Sequence, residues 1–288
     1  MTMKSSQSGF TLVEVAIVLL IVTILLGYTV AMFPQQQQLK QYRAANQEMD
    51  QILEAVIGFA QVNGRLPCPA LVTTNGNEDF DDDGTNPEGC NNYGGFVPFN
   101  TLGLDARLNA DNMMEDPWGN PYRYYVSNVD FNSNNLSDFV YPGEMRLVGL
   151  VDSDSDGYID LDGQYLICSD PGATTNDQCA DAASTLFGRY SGSPDRYAGA
   201  PFVLLSMGKN WNEGNPTGNE LENSGATLVN NGSTGSPPPP DYRIKNVGSE
   251  TVFVQRPGGG LADDFDDVVR WVSPNVLFAR MIQANQLP

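Results

Sequence analysis

The chain has 288 residues, enough for one large domain or two small ones around a substantial core. Its 35 acidic residues outweigh 15 basic ones, for a formal net charge of −20, so no nucleic-acid partner is expected, an anionic membrane surface would repel it, and cations would be attracted. There is no histidine, which removes Ser-His-Asp, Cys-His and His-Glu-x-x-His chemistry together with most zinc sites.

Met1–Gly9 is a short polar leader with one positive charge, Lys4. From Phe10 to Phe33 the only charged side chain is Glu14. As a helix this stretch is about 36 Å long, enough to span a bilayer, so residues 10–33 are predicted to form a transmembrane or filament-core segment. A carboxylate there costs about 2.5–3.5 kcal/mol near the bilayer centre and is normally retained for a function. Neither an ordinary secretory signal cut at Ala31 nor a plain anchor explains Glu14.

The string Gly9-Phe10-Thr11-Leu12-Val13-Glu14 resembles the processing site of type IV prepilins and type II secretion pseudopilins. The resemblance implies cleavage between Gly9 and Phe10 by a prepilin peptidase, methylation of the Phe10 amine, and an assembly role for Glu14. In an apolar filament core the Glu14 carboxylate of one subunit would neutralise the N-terminal ammonium of a neighbour, where an unpaired charge is costly. The implied partners are other pilin or pseudopilin subunits, the peptidase and an inner-membrane assembly platform. The implied location is the bacterial inner membrane, as a single-pass protein with a periplasmic head, and then a periplasmic or cell-surface filament.

Pro34 predicts a kink or a melted turn. Beyond it Leu39, Tyr42, Met49, Ile52, Leu53, Val56, Ile57 and Ala60 recur at spacings of three and four, so 34–64 reads as an amphipathic second half of the same helix. Asn63-Gly64 supplies a stop and Pro67 prevents resumption. The mature helix is expected to run about 54 residues, or about 80 Å.

Residues 65–288 read as a globular head. Strands are predicted at Tyr122–Val126, Met145–Val151, Gln164–Cys168, Phe202–Met207, Thr251–Gln255 and Val268–Val272. The expected fold is α+β: an antiparallel sheet laid on the helix stripe, as in a type IV pilin, and rich in loops. Asn275–Gln286, with Leu277, Met281 and Ile282 on one face, predicts a terminal helix. Residues 208–240 read as a long exposed loop. The cysteines Cys68, Cys90, Cys168 and Cys179 contain no Cys-x-x-Cys pair and suit disulfides in an exported chain. Of three connectivities, closing the shorter loops, Cys68–Cys90 and Cys168–Cys179, is entropically easiest.

The segment Glu115-Asp116-Pro117-Trp118-Gly119-Asn120-Pro121-Tyr122 resembles the Asp-Pro-Trp-Gly-x-Pro-Tyr string of major type II secretion pseudopilins. Physically it is a turn entering a strand, with Trp118 and Tyr122 as packing anchors. The chain is much longer than a typical major pseudopilin, which implies a minor or specialised subunit.

Two loops follow the pattern Asp-x-Asp-x-Asp-Gly, which aims hard oxygens at one centre and suits calcium. The first places Asp79, Asp81 and Asp83 before Gly84. The second places Asp152, Asp154 and Asp156 before Gly157, with the Tyr158 carbonyl, Asp160 and Asp162 as further donors. Asp263, Asp264, Asp266 and Asp267 form a candidate third site, resembling the C-terminal calcium loop of major pseudopilins but lacking alternation and a following glycine. The sequence holds no Gly-x-Ser-x-Gly and no P-loop, and no catalytic residue is assigned: a structural subunit rather than an enzyme is expected. A filament-borne adhesin that uses the large head is a compatible alternative.

Overall fold

The computed structural model describes residues 11–81, 89–130, 132–148, 163–168, 185–187, 199–209, 223, 228–230, 243–245, 252–255 and 266–287. The fold is α+β, a long N-terminal helix followed by a mainly antiparallel head, compatible with the pilin fold. It divides into two compact units, Met1–Arg43 and Ala44–Pro288.

Helix α1 runs from Leu12 to Asn63, 52 residues without a break. The melted turn expected at Pro34 is not found. A proline removes one donor from the ladder, and the turns on either side carry the helix across it. The helix stops where Gly64 takes φ +69 and donates to the Ala60 carbonyl at 2.8 Å, a left-handed cap that glycine adopts without penalty.

In the first unit the apolar side chains from Leu12 to Leu26 are exposed. Among the described residues no helix is long and apolar enough to cross a membrane.

In the second unit α1 buries Ala45, Met49, Ile52, Val56, Ile57 and Ala60 on one face. That face covers a four-stranded antiparallel sheet made of β3 (Gly94–Phe96), β4 (Arg123–Val126), β7 (Phe202–Ser206) and β11 (Val268–Trp271), in the order β11-β7-β4-β3. The register sets Tyr124 opposite Leu204 and Leu204 opposite Arg270, so these three share a face. Arg270 Nε reaches Asp50 of α1 at 2.9 Å, and the Tyr122 hydroxyl donates to Glu48 at 2.7 Å. The opposite face carries Tyr125, Val203, Leu205 and Val269, packed against Tyr165, Ile167, Ile244 and Phe253. Coverage on both faces explains why β4 and β7 are buried at every residue instead of alternating.

The second layer is a three-stranded sheet of β10 (Val252–Val254), β5 (Leu166–Cys168) and β6 (Thr185–Phe187), with a hairpin of β8 (Leu228–Asn230) and β9 (Arg243–Lys245). The β10–β5 pair is parallel, an exception to the expected antiparallel head. Strand β8 also lies inside the stretch read as loop.

Each edge of the sheet is partly occupied. Beside β3, Ala70 and Phe96 exchange backbone hydrogen bonds of 2.8 and 2.9 Å. Beside β11, the Val269 carbonyl accepts from Gln255 Nε2 at 3.3 Å and Arg270 Nη1 at 3.1 Å, while Trp271 Nε1 donates to Gln255 Oε1 at 2.9 Å.

The strand expected over Met145–Val151 is instead helix α2, Glu144–Val148, with 149–151 outside the described residues. Glu144 and Met145 are buried while Arg146 and Leu147 are exposed, a spacing that a two-residue strand period does not produce. Helix α3, Pro274–Gln283, starts on Ser273, whose Oγ accepts from the Val276 amide at 3.4 Å. It buries Leu277, Phe278 and Met281 and leaves the expected stripe member Ile282 half exposed.

Near the exit of α1 the short hairpin of β1 (Phe80–Asp81) and β2 (Gly89–Cys90) is tied back by a Cys68–Cys90 disulfide. Arg65 closes the same corner. It binds Glu78 with two hydrogen bonds of 2.8 Å and lies over the rings of Phe59 and Phe80 at 5.1 and 4.2 Å. The side chain of Cys168 and all of Cys179 lie outside the described residues.

Candidate functional site

The N-terminal site begins at Thr11; Gly9 and Phe10 lie outside the described residues. The Thr11 amide and hydroxyl donate to Glu14 Oε2 at 3.2 and 3.3 Å, and the Glu14 amide donates to Thr11 Oγ1 at 3.2 Å. This reciprocal pair is a capping box, satisfying donors that the first turn otherwise leaves orphaned. Glu14 therefore also acts within its own chain, and its negative charge sits where the helix dipole favours it. The signal was present as Thr-x-x-Glu, and the sequence reading, centred on the acid alone, missed it.

The acidic loops are only partly described. Asp79 Oδ1 accepts from Asn91 Nδ2 at 3.3 Å, while Oδ2 is buried without a hydrogen bond. Asp81 stands on β1 opposite Gly89, and Asp83 lies outside the described residues. So do Asp152, Asp154, Asp156, Tyr158, Asp160 and Asp162 of the second loop, and Asp263 and Asp264 of the third run. The remaining members of that run are engaged structurally. Asp266 Oδ2 accepts from the Lys209 amide at 2.6 Å. Asp267, buried, accepts from Asn223 Nδ2 at 2.9 Å, and Asn223 also bonds both backbone groups of Val254. That network ties β10 to the start of β11. Among the described residues no three acidic, histidine or cysteine side chains are grouped to hold a metal.

The Asp-Pro-Trp-Gly string is built around a fully buried carboxylate. Asp116 Oδ1 accepts from the amides of Trp118 and Asn120, both at 2.9 Å, and Oδ2 accepts from Ser206 Oγ on β7 at 2.6 Å. Gly119 takes φ +92 in the turn. Burial pushes the carboxyl up to about 6, against the donors and Arg123, which favour its charged form. The next anchor, Tyr122, has its hydroxyl raised above the usual value by burial and by Glu48. Glu48 also faces Arg107 at 3.8 Å. Glu48 and Arg107 line a polar cleft of about 300 Å³ with Gln47, Gln51, Asp105 and Glu115.

A further oxygen-rich loop joins β4 to α2. Asp130 accepts from the amides of Asn134 and Asn135, at 3.1 and 2.8 Å. Asn132 and Asn134 direct Nδ2 to the same oxygen, Oε2 of Glu144, at 2.9 and 3.0 Å. Asn135 adopts φ +65. The sequence reading passed over this loop because it searched for aspartate alone at alternate positions.

The chain matches the family model described as the prokaryotic N-terminal methylation motif, over residues 4–30. This is consistent with a type IV prepilin-like or pseudopilin-like processed protein. The match does not extend to the head or to the Asp-Pro-Trp-Gly string. No curated protein and no solved structure matches the chain.

Proposed function

We propose, with the methylation motif at residues 4–30 as the premise, that the chain is a structural subunit of a type IV pilus-like or type II secretion filament. The observation that carries this reading is that motif, followed by an exposed apolar helix whose one charge, Glu14, is held at its first turn. Cleavage between Gly9 and Phe10 leaves an amine one residue ahead of the capping box. Prepilin peptidase makes that cut, the apolar segment inserts in the inner membrane, and the assembly platform passes the subunit into a filament with the head outside. The size of the head supports a minor or specialised place in it.

Calcium is the proposed cofactor of the two Asp-x-Asp-x-Asp-Gly loops. Support comes from the first, where a buried carboxylate oxygen of Asp79 lacks a donor, as hard-cation ligands do when the ion is absent.

Intact-mass analysis and N-terminal sequencing of the exported protein test the reading. The expected chain begins at a methylated Phe10. A chain beginning at Met32, as an ordinary secretory signal would leave it, overturns the proposal.

A further inference from the structure

The cleft beside α1 is lined by three carboxylates, Glu48, Asp105 and Glu115, against one cation, Arg107. Glu48 accepts from the Tyr122 hydroxyl, and its other oxygen faces Arg107 at 3.8 Å, longer than a hydrogen bond. The carboxylates of Asp105 and Glu115 bond no group among the described residues. Helix α1 supplies no cation either. One turn to each side of Glu48 stand Ala44, Ala45, Gln51 and Ile52, the positions from which a helical ion pair would form. Ala44, Ala106 and Met114 add apolar wall. At about 300 Å³ the hollow is at the lower end of the range that takes small ligands. Apolar wall and unspent negative charge together suit a long basic side chain, its methylene stem on the wall and its head among the acids.

The complementary charge is present in the same sequence. Lys40 and Arg43 are exposed, and neither bonds any group among the described residues. Three positions apart on α1, they share a face, and no acid stands three or four positions from either. Arg65, Arg107, Arg270 and Arg280 are engaged in ion pairs. The exposed Arg146 and Lys209 stand singly in sequence. Copies carrying a net charge of −20 repel one another, so association between them requires such cations to be set against acids.

We propose that the cleft receives the Lys40 and Arg43 face of α1 from a second copy of this chain. Such a contact is head-to-tail: each copy offers its cleft to one neighbour and its basic pair to another, so the contact propagates instead of closing. The inference rests on the filament reading for the presence of that second copy.

Sedimentation of the full chain in detergent, at a series of protein and salt concentrations, tests it. Self-association is expected, and it should weaken as salt rises. Asp105→Lys and Arg43→Glu, both on exposed residues, should each weaken it about fivefold. The two substitutions combined in one chain should restore most of the loss, and Arg146→Glu should change nothing. A chain that stays monomeric, or an equal loss from Arg146→Glu, overturns the proposal. So does a loss from Asp105→Lys alone, which would give the cleft to a different basic partner. These failures leave the filament reading standing, since that reading falls on the N-terminal sequence and not on the charge reversals.

Discussion

Two side chains carry more of the head than their neighbours. Burial holds the Asp116 carboxyl near 6, against 3.8 for the unperturbed group. The folded state thus binds this proton more tightly than the unfolded chain. The stability it contributes is fully present below about pH 3.8 and is lost as pH rises through about 6. Asp116→Asn keeps an oxygen for the Trp118 and Asn120 amides and removes the charge. Its stability relative to the unmodified chain is expected to rise by about 2–3 kcal/mol between pH 4 and pH 7, read from urea melts at unit steps. A difference independent of pH would show that the hydrogen bonds, not burial, set this carboxyl. The second residue is Arg65, with a side chain only 12% exposed against 15% for Glu78. Arg65→Ala strands the glutamate and should cost about 3 kcal/mol in denaturant unfolding. Arg65→Lys should recover less than half, because an ammonium cannot make the double hydrogen bond while lying flat on two rings. Full recovery by lysine would reduce the pair to simple charge attraction.

Among the elements, the helices were the most legible. The spacing from Met49 to Ala60 repeats often enough to define one face, and that face is buried. Ile52→Ala in this stripe is expected to cost about 2–5 kcal/mol, whereas Val62→Ala, on a side chain 76% exposed, should change stability by no more than about 0.5 kcal/mol. Equal effects in thermal melts would mean that the stripe does not anchor the head. Strands of three to five residues were legible only where β-branched and aromatic residues cluster, as in Phe202–Ser206. The parallel partnership of β10 with β5 joins residues some eighty-six positions apart, and no local pattern encodes such a pairing. Helix α2 was misread because Met145, Leu147 and Val148 look strand-like in sequence; the burial of Glu144 beside Met145 decides otherwise. The Asp130 loop went unseen for a chemical reason. Asparagine offers the same kind of oxygen as aspartate, but without the charge that makes an acidic run conspicuous.

At the scale of the molecule, the second unit closes through contacts distant in sequence. Arg270 and Arg280 of the last segments pair with Asp50 and Glu54 of α1, and Gln286 reaches the Val62 carbonyl. The Cys68–Cys90 disulfide spans 22 residues and restricts the unfolded chain at the point where the helix gives way to the head. Replacing both cysteines with serine is expected to cost about 2–4 kcal/mol and lower the melting temperature of the full chain in detergent. An unchanged melting temperature would mean that the Arg65–Glu78 corner holds the hairpin unaided.

The partly occupied edges of the four-stranded sheet have a consequence for crowding. Unpaired edge strands invite pairing with identical copies, and the risk grows with local concentration. In the filament proposed above, every head has another held beside it permanently, at concentrations that no dilute protein meets. Ala70 already occupies the free rim of β3, and Gln255 and Arg270 both claim the Val269 carbonyl on the rim of β11. Neighbours pressed against these rims find one carbonyl already spoken for on one side and a bridging residue on the other. Rims occupied in this way leave less of the sheet open to extension into the next copy.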